Sequence, residues 1–183
     1  PKTQSALLEA MQEKSVTASG HTYKMDNPFF VLATQNPIEQ EGTYPLPEAQ
    51  LDRFMLNIKV DYPSFQEEVD IVRNTTSDAK PKLRKVLTTE EILGIQDLIR
   101  RIPTTDYVLE YAVNLVAKTR PGGDKATKEV NEYLSWGAGP RASQNLILGA
   151  KAHAAINGRF SPETDDVKAV AIPILRHRIL KNY

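Results

Sequence analysis

Three polar side chains stand where a backbone can present them to a phosphate. Asn36 follows the apolar run Phe29-Phe30-Val31-Leu32-Ala33-Thr34 by two residues. In open α/β sheets ligands sit beyond the carboxyl ends of strands, and an amide there orients a water or phosphate oxygen through both a donor and an acceptor. The same Asn36-Pro37 pair also suits the plain start of a turn. Arg53 lies between Leu51 and Phe54, on an expected short helix just before a strand, so it can project from a domain edge. Its plainer alternative is a salt bridge with Asp52 or a neighbouring glutamate, worth ~0–1 kcal/mol at a surface. Arg141 falls in the first turn of the helix opened by Gly139-Pro140, where a cation opposes the helix dipole and costs ~0.3–1 kcal/mol. Free N–H groups and a forked guanidinium at one spot make an anion site. A solvated arginine paired with an acid is the alternative there.

Other signatures are missing. The sequence contains no GxxxxGK(S/T), no GxSxG and no HExxH. His21, His153 and His177 are scattered as ordinary surface or packing residues are. Gly137-x-Gly139-x-x-Ala142 fits the dinucleotide fingerprint by letter, but that motif follows a buried strand of a βαβ unit. Here Asn131 to Trp136 is expected to lie in a helical region. Asn74-Thr75-Thr76 matches a glycosylation acceptor, a coincidence in a cysteine-free chain. No residue is expected to hold a metal.

The elements that must position these residues change character near residue 62. Leu7, Leu8 and Met11 share one face of an expected helix over 3–13. Residues 14–25 flank Ser19-Gly20, a two-residue hairpin turn. The run 29–34 has the apolar continuity of a strand covered on both faces, and Leu56, Ile58 and Val60 alternate as a second strand. Between them Glu48 to Phe54 suits a short helix. Beyond Tyr62-Pro63 the pattern is helical. Ser64-x-x-Glu67 and Thr88-x-x-Glu91 are capping boxes, and Pro103 ends the helix opened by the second. A third helix carries Val108, Tyr111, Ala112, Leu115 and Val116. A fourth starts at Gly139-Pro140 with proline at the tolerated first position and runs to Gly158. A fifth starts at Ser161-Pro162-Glu163, and Pro173 is expected to kink or end it. Residues 74–87 and 121–131 are expected linkers. The fold class is thus an α/β fragment, residues 1–62, followed by an all-α helical-bundle domain, residues 63–183.

The chain has 183 residues with 23 basic and 23 acidic side chains. That balance argues against wholesale binding of nucleic acid, which rests on a basic face. No apolar run approaches the ~20 residues of a membrane helix, so membrane insertion is not expected. The absence of cysteine rules out a disulfide framework and a thiol nucleophile, and fits a reducing, cytoplasmic setting. The first residue is Pro1, not Met, which suggests a piece of a longer chain.

The three polar positions sit in blocks that closely resemble the MoxR family of AAA+ ATPases. These are Pro1 to Glu13, the stretch Ala33-Thr34-Gln35-Asn36-Pro37 through Gln50, and Leu51-Asp52-Arg53-Phe54. Gly139-Pro140-Arg141-Ala142-Ser143 and Ile174-Leu175-Arg176-His177-Arg178 look like lid-domain motifs of the same family. The resemblance implies a P-loop AAA+ core with parallel strands and a helical lid. It implies that Asn36 is the sensor-1 residue near the attacking water and that Arg53 is the arginine finger reaching the neighbouring subunit's nucleotide. Arg141 would be sensor 2, touching phosphate on its own subunit. The 14–25 hairpin matches an insert turned toward the ring's pore or its partners.

The chain departs from the family in lacking the Walker A lysine, its Ser/Thr magnesium ligand and the Walker B acids. ATP and Mg2+ would therefore be bound mainly by residues outside this chain, and these 183 residues alone are not expected to hydrolyse ATP. The intact protein is expected to form a homo-oligomeric ring, a hexamer, that remodels a client protein in chaperone-like fashion. A magnesium-chelatase-like motor is a close alternative, and a non-catalytic helical binding module over 64–183 a distant one. Lys80, Lys82, Arg84 and Lys85 suit either a docking patch or a solvated linker.

Overall fold

A computed structural model describes residues 8, 10, 11, 13–35, 46–78 and 82–182. Leu8, Ala10, Met11 and Glu13 are helical, within the helix expected over 3–13. Strands β1 (Ser15–Ala18) and β2 (His21–Lys24) pair antiparallel with Val16 opposite Tyr23. Both turn residues take positive φ, Ser19 at 51° and Gly20 at 78°. This is the backbone whose twist matches that of the flanking strands.

The two expected parallel strands do not form among the described residues. Residues 29–35 and 56–60 belong to no helix or strand, and Phe30 and Leu32 are 78% and 84% exposed. A parallel strand needs a neighbour supplying the opposing N–H and C=O groups, and among the described residues neither run is paired in a sheet. Their apolar composition identifies them as surfaces to be covered, while the ladder that defines a strand is absent.

Helix α1 (Glu48–Leu51) leads into a turn over residues 52–55. Helices α2 (Phe65–Thr75) and α3 (Thr89–Arg101) both begin with the expected capping boxes. The Ser64 and Thr88 amides donate to Glu67 and Glu91 at 2.8 and 2.7 Å.

The core is built by α4 (Asp106–Ala117), α6 (Pro140–Ile156) and α7 (Thr164–Leu175). Val108, Ala112 and Val116 meet Ala142, Leu146 and Ala150, with Val167, Ile174 and Leu175 closing the third side. Alanines spaced by four and eight residues along α6 let its neighbours approach closely. Gly149 takes this furthest, since a Cβ there would meet Ile174 Cδ1 and Val170 Cγ2 at 3.2 Å. Pro173 lies within α7, which ends two residues later at Leu175.

Two details differ from expectation. Helix α5 (Lys128–Tyr133) occupies part of the expected 121–131 linker, and β3 (Leu134–Trp136) follows it where helix was expected. Strand β3 pairs antiparallel with β4 (Leu180–Lys181), Trp136 facing Leu180. A three-residue strand stabilised by a partner so distant in sequence leaves no local period to read. No described helix is long and apolar enough to cross a membrane.

Candidate functional site

The α1 turn and the end of α7 meet through one carboxylate and two guanidiniums. Arg178, 5% exposed, follows α7 closely, after Arg176 and His177. A cation so buried requires a partner and acceptors for its remaining donors. Its Nε donates to Asp52 Oδ1 at 2.8 Å, and its Nη2 to the carbonyls of Asp52 and Phe54 at 2.8 and 2.6 Å. Nη1 reaches the Met55 carbonyl at 3.4 Å and also donates to the Ile174 carbonyl. Burial pushes the Arg178 guanidinium below its ordinary value and the Asp52 hydrogen bond pushes back. The Asn57 amide donates to the Pro173 carbonyl at 2.8 Å, adding a backbone tie to the same contact.

Arg141 supplies the second cation. The loop before α6 is fixed to the end of α4: Arg120 Nε donates to the Ala138 carbonyl at 2.9 Å and Ala138 N to Thr119 Oγ1 at 3.0 Å. Gly137 has no Cβ because one would run into the Thr119 carbonyl. Gly139 then caps α6 without a side-chain hydrogen bond, and Pro140 opens it. Arg141 Nη1 reaches Asp52 Oδ2 at 2.6 Å while the side chain stays 44% exposed. The acid-paired arginine of the plainer reading is therefore the observed state, and its partner lies 89 positions away.

Arg53 is the odd one out. Its neighbour Asp52 is engaged by Arg178 and Arg141, and Arg53 Nε and Nη1 are buried with no hydrogen-bond partner among the described residues. An unpaired buried donor costs roughly 1–3 kcal/mol. Such donors call for an acceptor beyond the described residues. Asn36 lies outside the described residues, as does Lys80; Lys82, Arg84 and Lys85 are exposed.

Sequence reasoning missed Asp52 and Arg178. The signal was weak: Arg178 follows Arg176 and His177 and precedes Ile179 and Leu180, so nothing local marks it as the buried cation. The dinucleotide fingerprint gains a strand before it, but β3 is a short antiparallel strand with Ser135 and Trp136 exposed. That still differs from the buried parallel strand the motif requires. Among the described residues no three His, Asp or Glu side chains form a metal-holding group.

His177 adds a titratable group to this contact. Its ring Nε2 lies 3.0 Å from the Phe54 carbonyl, so this nitrogen carries the proton, while Nδ1 is buried without a partner. Burial, and then the Arg178 charge, push the imidazole below its ordinary value of 6.5. A base depressed by folding takes up its proton later than in the unfolded chain, so its contribution is complete above about pH 6.5 and is lost as pH falls through the folded value. Thermal midpoints measured from pH 7.5 to 5 are expected to decline, and His177→Gln, which keeps an N–H for Phe54, flattens part of that decline. An identical decline in the variant removes His177 as the cause.

The sequence and the fold match a known class of proteins. The pattern of the ATPase family associated with various cellular activities (AAA) matches residues 1–56, and that of the AAA lid domain matches residues 126–183. Chaperone MoxR1 of Mycobacterium tuberculosis is 41% identical over 182 residues, covering 100% of this chain and 48% of that protein. YeaC of Bacillus subtilis is 42% identical, covering 98% and 54%, and MoxR of Paracoccus denitrificans is 28% identical, covering 98% and 56%. A crystal structure of a candidate ATPase from Cytophaga hutchinsonii superposes with a TM-score of 0.91 at 43% identity, covering 100% of this chain and 56% of that one. The chain spans about half the length of the curated relatives it matches. These matches identify an α/β piece of an AAA+ ATPase followed by helices of its lid. The chain belongs to the MoxR-like AAA+ ATPases.

Proposed function

We propose that the full-length protein is a cytoplasmic, ring-forming ATPase that uses ATP and Mg2+ to remodel a client protein, with residues 1–62 as core and 63–183 as lid. The observation that carries the site is Arg53, whose buried Nε and Nη1 have no partner among the described residues, beside an acid already neutralised by two other arginines. A trans-acting finger needs such a donor, left free until a neighbour's γ-phosphate meets it. Asn36 positions the attacking water, and Arg141, at a helix amino terminus without a side-chain cap, takes a phosphate oxygen in exchange for Asp52. The names MoxR and chaperone MoxR1 among its relatives support client remodelling over metal insertion by a chelatase-like motor.

One observation favours a second reading of Arg141. Its Asp52 tie anchors it to the residue beside Arg53, which favours both arginines serving the neighbouring subunit's nucleotide. Arg141→Ala is expected to weaken nucleotide binding by about 10–100-fold, the worth of one or two charge-assisted hydrogen bonds. Unchanged affinity and turnover remove the phosphate role. Mixing Arg141→Ala with Asn36→Ala subunits separates the readings: restored turnover assigns Arg141 to the neighbour, and silence assigns it to its own subunit.

The full-length protein is expected to hydrolyse ATP, and the purified 183-residue chain to show no turnover above background. Clear turnover by the 183-residue chain, abolished by Arg141→Ala, overturns the assignment of the phosphate cradle to other residues.

A further inference from the structure

We propose that Arg178 is a positioning residue for the arginine finger: it clamps the turn that carries Arg53 and, with Arg141, occupies the carboxylate that would otherwise neutralise the finger. This rests on the trans-finger reading above. Arg178 does not approach the nucleotide; it acts through Asp52 and the backbone on either side of Arg53.

The geometry is specific. The Arg178 guanidinium holds the carbonyls of Asp52 and Phe54, the two residues flanking Arg53, and reaches that of Met55. The turn is therefore clamped on both sides of the finger. The Asp52 carboxylate gives Oδ1 to Arg178 and Oδ2 to Arg141, so each oxygen already accepts from an arginine other than Arg53. In an isolated Asp-Arg pair the two side chains attract one another. Here the adjacent guanidinium is left with Nε and Nη1 unpartnered among the described residues. The division of labour needs a fork: a lysine keeps a charge for Asp52 but cannot serve the carboxylate and four carbonyls together.

In the full-length protein, Arg178→Lys is expected to lower kcat by roughly 10–100-fold, as misplacement of a catalytic group does. Nucleotide affinity and ring size stay unchanged. The decisive readout is complementation. Subunits with Arg178→Lys keep an intact nucleotide site, whereas Asn36→Ala subunits keep an intact finger. In an equal random ring mixture roughly a quarter of interfaces join the intact site to the intact finger. Turnover should rise above that of either parent. Asp52→Asn, which keeps an oxygen for Arg178 but not the charge, should complement in the same way and carries the test if Arg178→Lys subunits fail to assemble.

A control mixture of Arg53→Ala with Asn36→Ala separates the outcomes. If the control recovers and the Arg178→Lys and Asp52→Asn mixtures stay silent, or if those variants lose nucleotide affinity in parallel with kcat, Arg178 only holds the lid together and the proposal is overturned. If the control also stays silent, the trans-finger reading fails and this proposal falls with it.

Discussion

Replacing Arg53 by alanine in the full-length protein is expected to lower ATP turnover by ~10³–10⁵-fold while nucleotide affinity stays within about two-fold. The asymmetry follows from where the finger works. As a finger acting in trans, Arg53 would belong to the subunit that does not hold the nucleotide and would contribute little to ground-state binding. Its charge would act on the equatorial oxygens as the γ-phosphoryl group loosens, an interaction made only in the transition state. Loss of such a contact lowers kcat and kcat/KM together. Arg53→Lys is expected to recover only a small part, because a point charge replaces a two-pronged donor. Steady-state turnover at saturating ATP, with nucleotide affinity measured separately, decides the matter. Activity within a few-fold of the parent removes Arg53 from the reaction.

The largest stability effect is expected far from the phosphates, at Asp166. This side chain is fully buried at the start of α7 and binds three elements at once. It accepts from Arg159 Nη1 and His153 Nδ1 at 2.6 Å and from the Glu163 amide at 2.7 Å. A second contact with Arg159 Nη2 completes the pair. The Arg159 hydrogen bonds hold the carboxyl well below its ordinary value of 3.8 against the opposing effect of burial. Its contribution is therefore present above that ordinary value and is lost only as pH falls through the lower folded one. Acid between pH 4 and 5 leaves it intact, in the range where His177 already protonates in the unfolded chain. Asp166→Ala removes the acceptor and strands a capping amide. Because Arg159 and His153 are each more than a third exposed and regain water, the cost is roughly 2–4 kcal/mol, the lower part of the range for breaking a buried pair. That corresponds to a fall of roughly 5–15 °C in thermal midpoint. Asp166→Asn keeps the oxygen and loses the charge, and is expected to fall between. A shift below about 2 °C for Asp166→Ala means the network adds little.

What was legible in the sequence has a common physical origin: interactions closed within a few residues. The capping boxes at Ser64 and Thr88 pair positions three apart, so the letters carry the geometry. The Ser19-Gly20 turn and the Gly139-Pro140 start are equally local, and the structure places them as expected. The run 29–34 was legible only in part. Its apolar character is a property of the letters, but a strand is a relation to a neighbour. The β3–β4 pair fails for the same reason, because each partner is too short to carry a period of its own.

The sequence by itself determined the helical punctuation and the family, and it put forward three side chains as candidates for a phosphate. Only the tertiary structure decided who pairs with Asp52. The nearest guanidinium along the chain is Arg53, one residue on, yet the carboxylate takes one cation 89 positions away and another 126 positions away. Chain proximity sets which contacts are easy to form. Burial sets which are retained, because Arg178 is shielded from water and must find its acceptors inside. Arg53 is left without the acid because a more deeply buried arginine has the stronger need for it.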